Sequence, residues 1–175
     1  MSKIPNKYGG GAKTNLNGLH FEQTTSLNEA LTQAGYYIFD YYVYNEPLTP
    51  AIGMSVPQKK LYTKFLNKHG IDYKDYNSKE WRPDEAYINF NNKTAYIIEK
   101  KFQNRAGSVD EKLPNCHFKK LEYEKLFKPL GYGVEFIYIF NDWFLQSMYR
   151  DTLDYIKNMG CHYFFNELPL NMLHL

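Results

Sequence analysis

The chain has 175 residues, about 43% of them hydrophobic, a size at which one globular domain can bury its own core. With 21 basic and 19 acidic residues the formal net charge is only +2, which excludes the global positive field of a histone-like binder and leaves any polyanion to local patches. Cys116 and Cys161 lie in different segments without paired spacing, so neither a disulfide framework nor a cysteine-pair zinc site is expected, and a reducing, cytoplasmic setting in a bacterial or viral system is the expectation. No apolar run approaches 18 residues, so no membrane partner is expected.

In chain order, residues 1–15, with Gly9, Gly10 and Gly11 among lysines, read as a basic, flexible arm preceding a single domain over 16–175. Leu19, Phe21, Leu27, Ala30, Leu31 and Ala34 form an imperfect helical stripe over 17–34, ended by Gly35 and carrying Glu22 in its first turns. The aromatic-rich segment 36–45 reads as one strand, and Pro47, Pro50 and Gly53 mark 46–58 as a loop. A second helix is predicted from Pro57 to Gly70, with Leu61, Phe65 and Leu66 inside and lysines outside. Two strands, 84–90 and 94–101, flank Asn91-Asn92 as a hairpin. Ser108-Val-Asp-Glu111 has the form of a capping box opening a short helix before Pro114. A longer helix over 116–130, a strand over 134–140, a helix over 142–158 and a short strand over 161–165 complete a mixed α/β sheet flanked by helices.

The chemistry concentrates on the hairpin. A tight turn at Asn91-Asn92 places Asp84 directly opposite Glu99 and puts Asp84, Ala86, Ile88, Ala95, Ile97, Glu99 and Lys101 on one face. That face is apolar until its end, where two carboxylates approach to Cβ separations of roughly 4.5–5.5 Å and repel unless a cation sits between them. Oxygen ligands of this kind suit Mg²⁺, with Mn²⁺ able to substitute, and Lys101 stands where its ammonium can stabilise phosphate charge or orient a water. The competing reading is a cross-strand ion cluster in which Lys101 merely neutralises an acid. Five scattered histidines show no ligand spacing, and no Gly-x-Ser-x-Gly elbow, P-loop or dinucleotide fingerprint occurs.

Pro83-Asp84 followed by Glu99-Lys100-Lys101 resembles the PD-(D/E)XK nuclease superfamily, and the surrounding order of elements over about 16–140 is similar to its α-β-β-β-α-β core. The resemblance implies metal ligands at Asp84, Glu99 and the Lys100 carbonyl, a catalytic lysine at Lys101, and Glu22 as the acidic residue of the first helix. The segment from Glu99 to Leu113 is similar to the stretch just past the active-site strand in small type II restriction endonucleases. That implies double-stranded DNA as substrate, a homodimer and a cognate DNA methyltransferase. Gln103, Arg105, Gly107 and Ser108, just past the catalytic strand, are candidate phosphate contacts or else an ordinary polar loop; Lys119 and Lys120 are candidates too, although their alternation with Glu122 and Glu124 reads first as a solvated helical face. Lys119 and Tyr123 stand where RecB-like members carry Gln and Tyr, which disfavours that branch. The rival expectations are a structure-selective or repair nuclease resembling a junction resolvase, and a non-catalytic DNA-binding module on a degraded nuclease fold.

Overall fold

A computed structural model describes residues 20–22, 24–105, 107 and 109–175, with side chains from residue 24 onward. The expected arm over 1–15 lies outside the described residues. The stripe over 17–34 is not one helix: His20–Glu22 is a strand (β1), and the helix α1 covers only Leu27–Gln33. The boundary is set by a capping box, in which the Ser26 hydroxyl accepts from the Glu29 amide and the Glu29 carboxylate accepts from the Ser26 amide. Apolar residues of a strand and of a helix merge into one apparent periodicity. Gly35, at φ +89°, closes the helix as the sequence implies.

The segment 36–45 is a hairpin of two strands, β2 (Tyr37–Phe39) and β3 (Tyr42–Tyr44). Asp40 and Tyr41 both take positive φ between them, as a tight hairpin turn with right-twisted strands requires. The stretch expected as a loop holds β4 (Ala51–Ser55), which lies between β3 and β5 inside the sheet. Gly53 is not a breaker there: the Tyr87 ring and the Ile88 carbonyl of the adjoining strand occupy the space a Cβ would need. The helix after Pro57 is wound as a π-helix over Leu61–Leu66 and tightens into a 3-10 turn over Asn67–His69 before Gly70 at φ +77°.

The hairpin of β5 (Glu85–Asn89) and β6 (Thr94–Lys101) forms in the expected register, with Ala86 opposite Ile97 and Ile88 opposite Ala95. Its turn is wider than two residues. The ladder ends at Asn89 opposite Thr94, the Asn89 side chain accepts from the amides of Asn91 and Asn92, and Lys93 takes the left-handed conformation.

Past β6 the chain runs through a 3-10 turn, Asp110–Asn115, into α2 (Cys116–Phe127) and returns as β7 (Gly133–Phe140), parallel to β6. The helix expected over 142–158 is interrupted by extended backbone at Gln146; only Arg150–Asn158 (α3) is regular, and it leads to β8 (His162–Phe165), parallel to β7. The last strand, β9 (Glu167–Pro169), pairs with β1, an element the sequence does not announce. The result is a seven-stranded mixed sheet in the order β2-β3-β4-β5-β6-β7-β8, with β1 and β9 as a separate pair. Among the described residues no helix is long and apolar enough to cross a membrane.

Alternation along β5 and β6 gives the sheet two buried faces. Ala86, Ile88, Ala95 and Ile97 pack in one cluster with Tyr123, Leu126 and Phe127 of α2. Tyr87, Tyr96 and Ile98 pack in the other with Leu27 and Leu31 of α1 and with Leu168, Leu170 and Leu173. The strand β6 is therefore buried on both sides, and its polar end is set by the same alternation: Glu99 and Lys101 go to the α2 face, Lys100 to the α1 face.

Candidate active site

The polar end of β6 is built where β5 stops. The ladder's last pair is Glu85 with Ile98, so the Lys100 amide lies beyond the reach of β5, and the Asp84 carboxylate stands in for a strand carbonyl: Lys100 N–H donates to Asp84 Oδ2 at 2.8 Å. In extended backbone a residue's C=O lies on the same edge as its N–H, which brings the Lys100 carbonyl to the Asp84 side as well. Gln58, at φ +52°, secures the other flank. Its amide donates to the Pro83 carbonyl at 3.0 Å, and its side chain donates to Asp84 Oδ1 at 3.4 Å. Nothing in the sequence pattern singles out Gln58, because its approach depends on how β4 delivers the next turn to the Pro83-Asp84 corner.

Glu99 is only 4% exposed, and both of its oxygens are engaged. Lys101 Nζ lies 2.8 Å from one and Lys119 Nζ, reaching down from α2, 3.1 Å from the other. Lys119 also sits 5.8 Å from the centre of the Trp81 ring, over which Lys79 lies at 4.2 Å, and Phe118 meets Trp81 edge-on. One turn further along α2, Tyr123 is buried, and its hydroxyl has no hydrogen-bond partner among the described residues. Burial above all, then the charges of Tyr62, Glu99 and Asp84, hold this phenol well above its ordinary range, so it stays a neutral donor.

On the α1 face a second acid–base pair stands back to back with the first. Glu85 Oε1 lies 3.6 Å from Lys100 Nζ and accepts from the Leu27 amide at 3.3 Å, and Lys100 Nζ donates to the Thr25 carbonyl at 2.7 Å. Burial pushes the Glu85 carboxyl up and the Lys100 ammonium down, with each countering the other's shift. Glu85 thereby ties the start of α1 to the β5–β6 hairpin. It is legible from strand alternation, which sends the residue after Asp84 to the opposite face, next to Lys100.

Of the residues singled out by sequence, Asp84, Glu99, Lys100, Lys101 and Lys119 come together. Lys120 does not join them: it donates to the Gly160 carbonyl at 2.8 Å and lies 3.7 Å from Glu135, which in turn meets His162. Glu22 lies on β1 rather than on a helix, and its side chain is outside the described part. Gln103 is buried, its backbone clamped from both sides by the Asn141 side chain, while neither end of its own amide finds a partner among the described residues. Arg105 and Gly107 are exposed; Ser108 lies outside the described residues, and the short helix expected after it is present as the 3-10 segment Asp110–Asn115, ahead of α2 from Cys116.

The donor set suits a hard divalent cation in kind: two carboxylates and a backbone carbonyl on the same edge. Among the described residues no group of three or more His, Cys, Asp or Glu side chains gathers, so the protein would supply two carboxylates and leave the remaining positions to backbone, water or substrate.

Among curated proteins and among solved structures nothing matches. A family model described as a PD-(D/E)XK nuclease superfamily domain matches residues 15–125, well over half of the chain and the whole of the Asp84–Lys101 hairpin. Members of that superfamily typically use divalent metals, in keeping with the donor set. With that match, and with the aspartate at the foot of β5 bonded to the strand that carries Glu99 and Lys101, the chain belongs to the PD-(D/E)XK nuclease superfamily.

Proposed function

We propose that the chain is a Mg²⁺-dependent endonuclease that hydrolyses phosphodiester bonds of double-stranded DNA, a type II restriction endonuclease acting at a specific site as a homodimer beside a cognate methyltransferase. The observation that carries the reading is the bond from the Lys100 amide to Asp84, which holds an acid against the strand where Glu99 and Lys101 share one face. Asp84, Glu99 and the Lys100 carbonyl would hold the cation. It supplies Lewis acidity and neutralises charge on the scissile phosphate.

The chain's own groups do the rest. Glu99 fixes the Lys101 ammonium through a 2.8 Å contact, so that the cation-bearing end of the side chain waits where negative charge grows as water attacks phosphorus. Gln58 and the Lys100 amide hold Asp84 in a single orientation, leaving less reorganisation to be done during reaction. The attacking water gives up a proton to solvent, and as the phosphorus–oxygen bond to the leaving nucleotide breaks, that oxygen takes a proton from solvent.

A second reading, a structure-selective nuclease, draws support from two exposed rings close in sequence to this site: Phe102, directly after Lys101 and 67% exposed, and Phe118, directly before Lys119 and 50% exposed. Such rings suit unpaired bases better than a closed duplex. The deciding experiment is incubation with supercoiled plasmid and with branched DNA in Mg²⁺. Discrete plasmid fragments support restriction, while cutting confined to junctions supports the second reading. Asp84→Ala and Glu99→Gln should each lose at least about a hundredfold in rate, the scale of lost charge stabilisation at a reacting centre. Cleavage by either variant at the wild-type rate would remove these residues from the mechanism.

A further inference from the structure

Glu99 is already paired without a metal. On the α2 face it holds two ammonium groups, Lys101 and Lys119, whereas the Lys100 ammonium lies with Glu85 on the other face of the sheet. Both Glu99 oxygens carry a lysine, so a dication approaching this carboxylate meets an occupied ligand and two ammonium groups. Of the two, Lys101 shares Glu99's strand and face, so backbone geometry keeps it nearby. Lys119 comes from another element, makes the longer contact, and lies within reach of an alternative seat, the Trp81 ring.

Resting on the metal-dependent reading above, we propose that Lys119 is a displaceable counter-ion of Glu99. It holds the carboxylate in place while the protein is metal-free, gives up its oxygen when a divalent cation arrives, and turns outward beside Trp81 and Lys79, where its charge becomes available to a DNA phosphate. Lys119 is thus a positioning residue that acts through Glu99. It makes metal uptake and phosphate binding reinforce one another, because the same ammonium leaves one anion for the other.

The test is Mn²⁺ binding followed by electron paramagnetic resonance in the absence of DNA, for the wild type, Lys119→Met, Lys119→Arg and Glu99→Gln, with thermal unfolding of each metal-free protein alongside. Removing the competing ammonium should tighten Mn²⁺ binding about tenfold in Lys119→Met, the scale of one partly buried ion pair. Lys119→Arg, which keeps the charge, should stay close to wild type, and Glu99→Gln should bind far more weakly. A purely structural role for Lys119 predicts lower thermal stability in Lys119→Met with Mn²⁺ affinity unchanged or weaker, and that result overturns the proposal while leaving Glu99-dependent metal binding intact. If Mn²⁺ binding does not depend on Glu99 in any of the proteins, the metal site itself is misassigned and both readings fall. Should Lys119→Met not fold, Lys119→Gln substitutes for it with the same expectation.

Discussion

At the scale of single residues, the end of β6 shows how strand alternation turns one short stretch of sequence into two separate electrostatic environments. Glu99 and Lys101 face α2, and Lys100 faces α1, where it meets Glu85. Direct opposition of Asp84 and Glu99, deduced from the hairpin register, implies that deleting either acid would relieve repulsion. With two ammonium groups on Glu99, its removal instead leaves Lys101 and Lys119 poorly compensated, so Glu99→Gln is a safer variant than Glu99→Ala. The opposite face makes a prediction about pH. The Glu85 carboxyl is raised, chiefly by burial, so between the ordinary carboxylate range and its folded value the native protein binds a proton that the unfolded chain does not. Its contribution to stability therefore grows as pH falls through the folded value and is lost as pH rises. Glu85→Gln carries the neutral form at every pH. Denaturant unfolding of both proteins from neutral pH down to the ordinary carboxylate range should show the wild type gaining on the variant as the solution is acidified. A constant difference would mean that Glu85 does not titrate in that window.

At the scale of elements, the β5–β6 hairpin is readable because two signals agree: a period of two in the apolar residues and an asparagine pair at the turn. Where one signal stands alone, it misleads. Dense aromatics over 36–45 conceal the Asp40-Tyr41 turn, a place where Tyr41 in particular is no usual carrier of positive φ. The helical stripe beginning at Leu19 runs across a strand, and the true start of α1 is marked only by the Ser26–Glu29 capping box. The pairing of β1 with β9 joins segments nearly 150 positions apart, and local periodicity carries no information about such contacts. Gly53 misleads most, being a turn residue by habit and a packing residue in fact. The Tyr87 ring crosses it so closely that Gly53→Ala must push β4 and β5 apart, at a cost of about 3 kcal/mol. Thermal or urea unfolding would measure this. Because β5 carries Asp84 at its foot, the same variant should also impair the site, whereas Gly70→Ala, with open space at that position, should suffer only from its positive φ.

At the scale of the whole molecule, the site lies where the sheet changes character, antiparallel on the β5 side of β6 and parallel on the β7 side. There β5 ends early, β6 runs on beside β7, and the exposed edge of β6 is what Asp84 fills. With a net charge of +2 spread over the chain, the DNA substrate proposed above would not be drawn in by a global field, and cations near the site would have to supply most of the attraction. Lys79 and Lys119, both beside Trp81, form such a group, and Lys79 is exposed, its ammonium resting on the ring rather than on an acid. Each lysine that neutralises a phosphate releases a condensed counterion, so the logarithm of the DNA association constant should fall linearly with the logarithm of salt concentration. Measured by fluorescence anisotropy on a short duplex, in Ca²⁺ so that binding is followed without turnover, Lys79→Ala should reduce the magnitude of that slope by about one and weaken binding evenly across sequences. Lys120→Ala is the matched control. Its ammonium is spent on Gly160 and Glu135, so its slope should equal that of the wild type. If the two variants change the slope alike, the DNA does not pass over the Trp81 side of the site, and the phosphate path must be sought elsewhere on the sheet's polar end.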